Sequence, residues 1–345
     1  MARNSAKLTG EEGLLCTLRS PRMQIRAFLF LAICLHATLN LRAEEKTLRV
    51  LFIGNSFTAR HNLSQVVKEM AEAGQPGLKF ETTDVIYGGR TLADHWRLGT
   101  QLIVDEKKVT REAIQAQLDQ LEQTLTEKPN DRYAASARNR LKPFMLHLEE
   151  NRAPWDIVVL QSYRDDGGES PTRYAQFAPR FAEIAQAQGA RVILYETTPM
   201  TQNAEALTTP PDRTPVMEKE RAIAALANQI DAGVVPMSLV ASICQTERPD
   251  LTLRFVNDAH LNQTMAYLTA CTFYAALFER SPEGLALDAV TDIRYVEDGS
   301  GDKTKDRDGG PLKRVFSEKD RADLQRIAWS GWQEFQRLRA GLKHP

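Results

Sequence analysis

The 345-residue sequence has few cysteines and almost no net charge, and each shortage excludes a class of protein. Its cysteines form no Cys-x-x-Cys motif and no paired Cys/His spacing, which argues against a zinc module. The 44 Lys+Arg and 45 Asp+Glu residues leave a formal charge of -1, so the chain offers no electrostatic field for nucleic acid. With 26% charged and 42% hydrophobic residues, the composition is that of an ordinary globular protein.

Several motifs of common enzyme classes are also missing. The sequence has no Gly-x-Ser-x-Gly, which disfavours an α/β-hydrolase with a nucleophile elbow. It has neither His-Glu-x-x-His nor a Walker A sequence, which removes a zincin protease and a P-loop NTPase. We therefore expect a protein that uses no metal and no cofactor.

The N-terminal region has the layout of a secretory signal peptide. The apolar run over residues 27–39 is too short for a membrane-spanning helix, which needs about 20 apolar residues. Two arginines precede the run, and the small residue Ala43 follows it. We predict cleavage of residues 1–43, with Met23 as an alternative start, a periplasmic or secreted protein, and no stable membrane insertion afterwards. The alternative is a buried N-terminal helix.

Removal of this segment changes the charge balance. Residues 1–43 carry six basic and two acidic side chains, so the mature chain has 38 positive and 43 negative groups and a net charge of -5. Only Cys244 and Cys271 remain. In an oxidising compartment they could pair, although two buried free thiols fit the sequence equally well.

Short apolar runs alternate with helical patterns along residues 44–285. This alternation predicts an α/β fold with a parallel sheet of about five strands covered by helices on both faces. A helical insertion interrupts the pattern at about 109–150, and residues 286–345 form a C-terminal extension with a polar loop and a helix. The predicted elements are strands 48–53, 82–87, 156–161, 191–196 and 233–237 and helices 62–74, 174–188, 217–230 and 261–278.

A serine follows the first predicted strand, in the segment Gly54-Asn55-Ser56-Phe57-Thr58. Open α/β sheets build their sites at the carboxyl ends of the strands. The helix that follows points free N–H groups toward developing negative charge. Taken alone, Ser56 is more simply a helix-capping serine.

A histidine with a neighbouring acid lies near the other end of this region, in Asn257-Asp258-Ala259-His260. An acid close to a histidine can orient the imidazole, which then accepts the proton of a serine. An isolated Asp-x-His is more often a surface loop. The chain order, with serine first and histidine with its acid last, favours Ser56, His260 and Asp258 as catalytic residues.

These motifs resemble those of the SGNH (GDSL-type) hydrolases. Residues 54–57 are similar to block I of that superfamily, in the wording of bacterial GNSF-type branches, and residues 88–92 resemble block II. Gln161 stands where the family has Gly-x-Asn-Asp, a motif that is absent here. Block V is usually Asp-x-x-His, whereas here Asn257 holds the minus-three position and Asp258 the minus-two position.

The resemblance implies a flavodoxin-like three-layer sandwich and a secreted serine esterase acting on carboxylic esters, with O-acetyl groups of carbohydrates as candidate substrates. It implies Ser56 as nucleophile, His260 as base and Asp258 as its acid. The implied oxyanion hole consists of Ser56, Gly89 and Gln161. The expected partner is a small-molecule or glycan ester.

Two further residues are candidates for the substrate cleft, Asn55 and His95. The alternative for the Asp-His-Trp segment around His95 is simple packing of the tryptophan. His61, at the start of a predicted helix, is expected to be solvated. Because blocks III and V depart from the family pattern, a catalytically inactive carbohydrate-binding or scaffolding protein on the same fold is the alternative function.

Overall fold

Five strands pair into one parallel sheet in the order β2-β1-β3-β4-β5. Their bounds are β1 Lys46–Gly54, β2 Leu78–Ile86, β3 Ile157–Gln161, β4 Arg191–Tyr195 and β5 Gly233–Val235. All of β3 and all but the first residue of β4 are buried, as expected for strands covered on both faces. The prediction of an α/β fold with a five-stranded parallel sheet is confirmed.

The structure is a computed structural model that describes residues 46–148, 154–166, 172–197, 201–293 and 304–343. The described residues belong to one compact unit. The predicted signal peptide, residues 1–43, lies outside the described residues. No helix in the described ranges is both long and apolar enough to cross a membrane.

Helices surround the sheet. They are α1 Ser56–Ala59, α2 Leu63–Gly74, α3 Leu92–Arg97, α4 Thr100–Val104, α5 Arg111–Glu127, α6 Arg132–Leu146, α7 Arg173–Gln186, α8 Thr214–Gln229, α9 Met237–Glu247, α10 Gln263–Phe278 and α11 Glu318–Lys343. A single 3₁₀ turn, Arg60–Asn62, joins α1 to α2. The connection from β1 to β2 crosses the sheet in one direction, and the connections from β2 to β3, β4 and β5 cross it in the other. Because such connections are right-handed, the helices lie on both faces of the sheet. Helix α10 returns to pack against α2.

The strand order reverses between β1 and β3, which makes their carboxyl ends the switch point of the sheet. In open α/β sheets the crevice for a ligand forms at this place, because the helices leave the sheet in opposite directions there. Ser56 comes two residues after the end of β1. The fold therefore places the predicted nucleophile at the switch point.

The insertion contains two helices that pack against each other, α5 and α6. Thr110 caps the first by accepting a hydrogen bond from the Ala113 N–H. Asp131 caps the second by accepting from two backbone N–H groups, and so fixes the turn between them. These helices lie where the sequence predicts a helical insertion, whose last residues fall outside the described ranges.

The C-terminal region packs on the same unit through α11, which contacts α8, α9 and α10. Two short antiparallel pairs complete the described structure, β6 Arg254–Phe255 with β7 Asp258–Leu261, and β8 Ala289–Thr291 with β9 Lys313–Val315. Cys244 on α9 and Cys271 on α10 are buried free thiols, which answers the question that the sequence leaves open.

Candidate active site

Residues 54–58, which include the predicted nucleophile Ser56 and are named the nucleophile turn here, link β1 to α1. Asn55 is the N-cap of α1, and its side-chain Oδ1 accepts a hydrogen bond from the Phe57 N–H at 3.1 Å. The Asn55 N–H donates to Gln161 Oε1 at 2.8 Å. Asn55 is fully buried, whereas Ser56, the first residue of the helix, is partly exposed. Buried hydrogen bonds of Asn55 therefore hold the turn on its interior side, while Ser56 is accessible to solvent.

Gly54 permits this arrangement because the chain approaches its neighbours too closely for a side chain. A Cβ atom at residue 54 would lie 2.5 Å from Thr58 Oγ1 and 2.6 Å from Gln161 Oε1. These two atoms also hydrogen-bond to each other at 3.1 Å. The glycine of the sequence motif thus makes room for the buried hydrogen bonds that support the turn.

Ser56, His260 and Asp258 come together as a hydrogen-bonded series. His260 Nε2 lies 2.7 Å from Ser56 Oγ. His260 Nδ1 hydrogen-bonds to Asp258 Oδ1, which also accepts from the His260 backbone N–H at 3.0 Å. With its proton on Nδ1, the neutral imidazole can accept the serine proton at Nε2. The Phe57 ring packs 5.2 Å from the imidazole, centroid to centroid.

The acid of this series is Asp258, on strand β7, and not Asn257, which is exposed. Partial burial pushes the pKa of the Asp258 carboxyl upward. The hydrogen bonds from His260 and the positive charge of Arg307 outweigh that effect and leave the pKa below its usual value. Asp258 is therefore ionised at neutral pH.

Two arginines contact the second carboxyl oxygen of Asp258. Arg60 Nη2 donates to Asp258 Oδ2 at 2.7 Å, and Arg307 Nη1 donates to the same oxygen at 2.6 Å. Arg60 Nη2 also lies 3.1 Å from His260 Nδ1. Both nitrogens are donors in the tautomer described above, so Arg60 donates to the Asp258 carboxylate and not to the imidazole. Neither arginine is predicted from the sequence.

The turn after α1 carries Arg60 back toward β7. His61 and Asn62 both have left-handed backbone conformations, with φ of 57° and 51°. His61 is buried, and its Nε2–H donates to the carbonyl oxygen of Leu261, the last residue of β7, at 2.9 Å. Burial lowers the pKa of His61. The expectation that His61 is solvated is wrong. Its ring is buried and connects the chain just after Ser56 to strand β7, which carries His260.

The glycine turn after β2 lies beside the nucleophile turn. The Tyr87 N–H donates to the Gly54 carbonyl oxygen at 3.0 Å, and Asn55 Nδ2 donates to the Arg90 carbonyl oxygen at 3.2 Å. Gly89 is exposed and has a φ of 68°, a conformation that favours glycine. These contacts bring the predicted oxyanion residue Gly89 to the same edge of the sheet as Ser56.

The inserted helices reach this glycine turn through Tyr133 on α6. The Tyr133 hydroxyl donates to the Gly88 carbonyl oxygen at 2.7 Å. The Arg90 guanidinium lies over the Tyr133 ring, 4.1 Å from its centroid. The insertion therefore forms a wall beside the turn that carries Gly89.

Gln161 occupies a different place from the one expected of an oxyanion donor. It is fully buried, its Oε1 accepts from Asn55 N–H and Thr58 Oγ1, and its Nε2 donates to the Ser162 carbonyl oxygen. Both ends of the amide are thus engaged inside the protein. We correct the expected role accordingly: in this geometry Gln161 supports the nucleophile turn.

His95 and Asn55 do not line a cleft either, since both are fully buried. His95 Nε2 bonds to the Gly54 carbonyl oxygen at 2.9 Å, and its Nδ1 lies 3.1 Å from Thr100 Oγ1. Burial lowers the pKa of His95 to about 4. The substrate-cleft prediction for these two residues is wrong because their side chains hold the backbone of the nucleophile turn.

A cavity of about 700 Å³ lies beyond the carboxyl ends of β4 and β5. Its wall includes Gln202 and Asn203, whose carbonyl oxygens accept hydrogen bonds from Arg254 on β6. Ser242 and Gln245 of α9 also line it. Within the described residues, the buried atoms Ser242 Oγ and Gln245 Oε1 have no hydrogen-bond partner.

The described part of the chain contains no group of three or more His, Cys, Asp or Glu side chains arranged to hold a metal ion.

No protein-family model matches the chain, and no curated protein matches it. One similar solved structure is a candidate SGNH hydrolase from Slackia heliotrinireducens, with 20% identity, a TM-score of 0.42, and coverage of 67% of this chain and 100% of that one. Another is the gut microbial diltiazem-metabolizing enzyme BT4096, with 11% identity, a TM-score of 0.33, and coverage of 69% and 48%.

Proposed function

We propose that this protein is a serine esterase of the SGNH type that hydrolyses carboxylic esters. The observation that carries the proposal is the distance of 2.7 Å between Ser56 Oγ and His260 Nε2, with Asp258 bonded to the opposite side of the imidazole. This arrangement supplies a nucleophile, a base and an orienting acid in one hydrogen-bonded series.

In the first half of the reaction, His260 Nε2 accepts the proton of Ser56 as Oγ attacks the ester carbonyl carbon. Asp258 holds the imidazole in the required tautomer and stabilises the imidazolium that forms. The tetrahedral intermediate then collapses: its bond to the alcohol oxygen breaks, and His260 returns the proton to the leaving alcohol. The acyl group remains bound to Ser56.

The negative charge on the tetrahedral oxygen needs donors directed at it. Ser56 is the first residue of α1, so its N–H belongs to a turn that lacks intrahelical acceptors. The Gly89 N–H, in the adjoining exposed turn, is the second donor that we propose. Loss of one oxyanion donor typically costs roughly a hundred- to a thousandfold in turnover.

Water completes the cycle. His260 accepts a proton from water, the hydroxyl attacks the acyl carbonyl, and the bond to Ser56 Oγ breaks as the proton passes to that oxygen. The products are a carboxylic acid and a regenerated serine. Every proton in this scheme moves between the substrate, water and residues described above.

For the alcohol part of the ester we propose a carbohydrate, with acetyl as the acyl group. The cavity beyond β4 and β5 supports this choice because its lining includes serine, threonine, asparagine and glutamine side chains. Hydroxyl and amide groups of this kind can hydrogen-bond to the hydroxyls of a sugar.

We further propose that the enzyme works in the periplasm or outside the cell after removal of residues 1–43. The short apolar run behind two arginines supports this proposal. N-terminal sequencing of the exported protein tests it, and the expected first residue is Glu44. Export with residues 1–43 still attached would contradict it.

A fluorophosphonate probe tests the enzymatic function. We expect stoichiometric labelling of Ser56 in the native protein, because the probe reacts only with an activated serine. His260→Ala should abolish labelling, whereas Ser330→Ala on α11 should leave it unchanged. A folded protein that is not labelled would favour the non-catalytic carbohydrate-binding or scaffolding alternative.

The acid has its own test. Asp258→Ala should lower ester turnover strongly, since Asp258 is bonded to the imidazole, while Asn257→Ala should have little effect. The opposite result would transfer the acid's role to Asn257. Comparing acetate release from acetylated glycans with hydrolysis of short p-nitrophenyl esters then tests the substrate class.

A further inference from the structure

We propose that the loop of residues 304–312 belongs to the catalytic apparatus, and that its Arg307 is a positioning residue for Asp258. The inference rests on the proposed esterase function and adds to it a part of the C-terminal region. The contacts of the Asp258 carboxylate carry the inference.

The two carboxylate oxygens of Asp258 have different hydrogen-bond partners. Oδ1 accepts from the backbone and the ring of His260. Oδ2 accepts from Arg60 at 2.7 Å and from Arg307 at 2.6 Å. A carboxylate held at both oxygens cannot rotate about its terminal bond without losing charge-assisted hydrogen bonds. The arginines therefore fix the orientation of the oxygen that faces the imidazole.

The two arginines approach Asp258 from different parts of the chain. Arg60 follows Ser56 by four residues and is almost fully buried, so it belongs to the nucleophile segment. Arg307 comes from the C-terminal region, and its side chain is 17% exposed. Arg307 Nε also lies 4.0 Å from Asp292 Oδ2, a second buried carboxylate. Asp258 thus depends on an ion pair supplied from outside the sheet.

The 304–312 loop also contacts the chain on either side of Asp258. Asp308 accepts a hydrogen bond from the Val256 N–H at 2.9 Å, two residues before Asp258. Gln263 Nε2 donates to Asp306 Oδ2 at 3.2 Å, three residues after His260. The loop therefore contacts the turn of the β6–β7 hairpin, which carries the histidine and its acid, and the chain just after β7.

The loop is itself organised by Asp306. The Asp306 Oδ1 atom accepts from the Asp308 N–H at 3.0 Å and from the Gly310 N–H at 2.7 Å. The Asp306 N–H donates in turn to the Gly310 carbonyl oxygen at 2.9 Å. These bonds define a closed turn with Arg307 near its tip, so the guanidinium is presented to Asp258 by a structured segment.

The resulting role differs from general stabilisation of the fold. Removing Arg307 takes away one of the two arginines that the described part of the chain places on Asp258 Oδ2, and one of the contacts that fix the hairpin. The nucleophile, the base and the acid all remain. Turnover should fall because the imidazole is less well oriented, while substrate binding should change little because Arg307 lies behind the acid.

The experiment uses the full mature chain with p-nitrophenyl acetate. Arg307→Ala should lower kcat by about 10- to 100-fold, the scale of a misplacement of about 1 Å in a catalytic group, with KM nearly unchanged. Added guanidinium or methylguanidinium ion should restore part of the lost kcat several-fold. Arg307→Lys, which keeps the charge but lacks the planar fork, should lie between the alanine variant and the wild type.

Arg314→Ala is the matched control, since Arg314 lies on β9 with its guanidinium over the Phe316 ring. Its kcat should be close to that of the wild type and should not respond to guanidinium. An Arg307→Ala variant with unchanged kcat, or with a low kcat that no guanidinium ion restores, overturns the positioning role. A wild-type protein with no esterase activity would instead contradict the proposed function, which separates the two failures.

Discussion

The Nε2–H of His95 donates to the carbonyl oxygen of Gly54 at 2.9 Å, on the strand residue that precedes the nucleophile turn. The Thr100 hydroxyl lies 3.1 Å from the other ring nitrogen. A carbonyl oxygen only accepts, so Nε2 carries a proton, and the Thr100 hydroxyl can donate to Nδ1 of the neutral ring. The buried histidine thus sets the position of the chain just before Ser56.

We predict that His95 makes the protein less stable in mild acid. Burial lowers the pKa of His95 from 6.5 to about 4, so between these values the unfolded state binds a proton that the folded state does not. The free energy of unfolding should therefore fall as the pH drops from 6.5 to 4, by about 3 kcal/mol from this group alone. Urea denaturation at several pH values measures it.

His95→Gln is the informative variant, because glutamine can donate to the Gly54 carbonyl oxygen but does not titrate. It should lose part of the slope of stability against pH in this window. The remaining slope includes His61, whose pKa is also lowered by burial. An identical slope in the variant and the wild type would show that His95 is not the group that titrates.

Gly54→Ala should impair both stability and turnover. The new Cβ would lie within 2.6 Å of Thr58 Oγ1 and Gln161 Oε1, both part of the buried support of the turn. Overpacking of this kind typically costs about 1–3 kcal/mol. Gly88→Ala serves as the control for stability, since a Cβ at residue 88 meets no atom within 4 Å. Equal unfolding free energies for the two variants would contradict the close approach.

Tyr133→Phe tests whether the insertion supports the glycine turn. The variant removes the hydroxyl that donates to the Gly88 carbonyl oxygen at 2.7 Å and leaves the ring beneath Arg90. A hydrogen bond of this kind contributes about 0.5–1.5 kcal/mol, so kcat should fall roughly 2- to 10-fold if the turn presents an oxyanion donor. Full activity in Tyr133→Phe would show that this hydrogen bond from the insertion does not contribute to catalysis.

The core of the fold was predictable because its signals are local. The apolar run that ends at Gly54 and the helical pattern after Asn62 identify β1 and α2 within a residue or two. The chain order of Ser56 and His260 pointed to their association. The strand and helix predictions use residues that are neighbours in the sequence, where periodicity and turn composition are informative, whereas the pairing of Ser56 with His260 came from the motif order.

The supporting residues were not predictable in the same way. Arg307 reaches Asp258 across 49 residues, and its segment reads as a polar turn. His61 and His95 are polar residues near helix starts, which usually face solvent, but here tertiary contacts bury them. Gln161 ends a strand as expected. The direction of its amide, however, depends on the Asn55 N–H, which lies in the turn between β1 and α1.

A buried pair of glutamates gives the last prediction. Glu220 Oε1 accepts from the Leu239 N–H at 2.7 Å, and Glu196 Oε2 accepts from the Ser238 N–H at 3.0 Å, so both carboxyl groups bind the first turn of α9. Burial, followed by the negative charge of Glu196, raises the pKa of Glu220 well above 4.5, and Lys219 offsets only part of this rise. The folded protein therefore keeps a proton that the unfolded chain releases.

Because the unfolded state binds fewer protons above pH 4.5, the contribution of Glu220 to stability should fall as the pH rises through neutrality. Glu220→Gln resembles the protonated form, with a carbonyl oxygen for Leu239 and an N–H for Glu196. It should match the wild type near pH 5 and exceed it near pH 9 in urea denaturation. Glu334→Gln, which alters a partly exposed ion pair with Arg213, should keep the wild-type slope. A Glu220→Gln protein that loses stability in parallel with the wild type from pH 5 to pH 9 would mean that Glu220 is ionised in the fold.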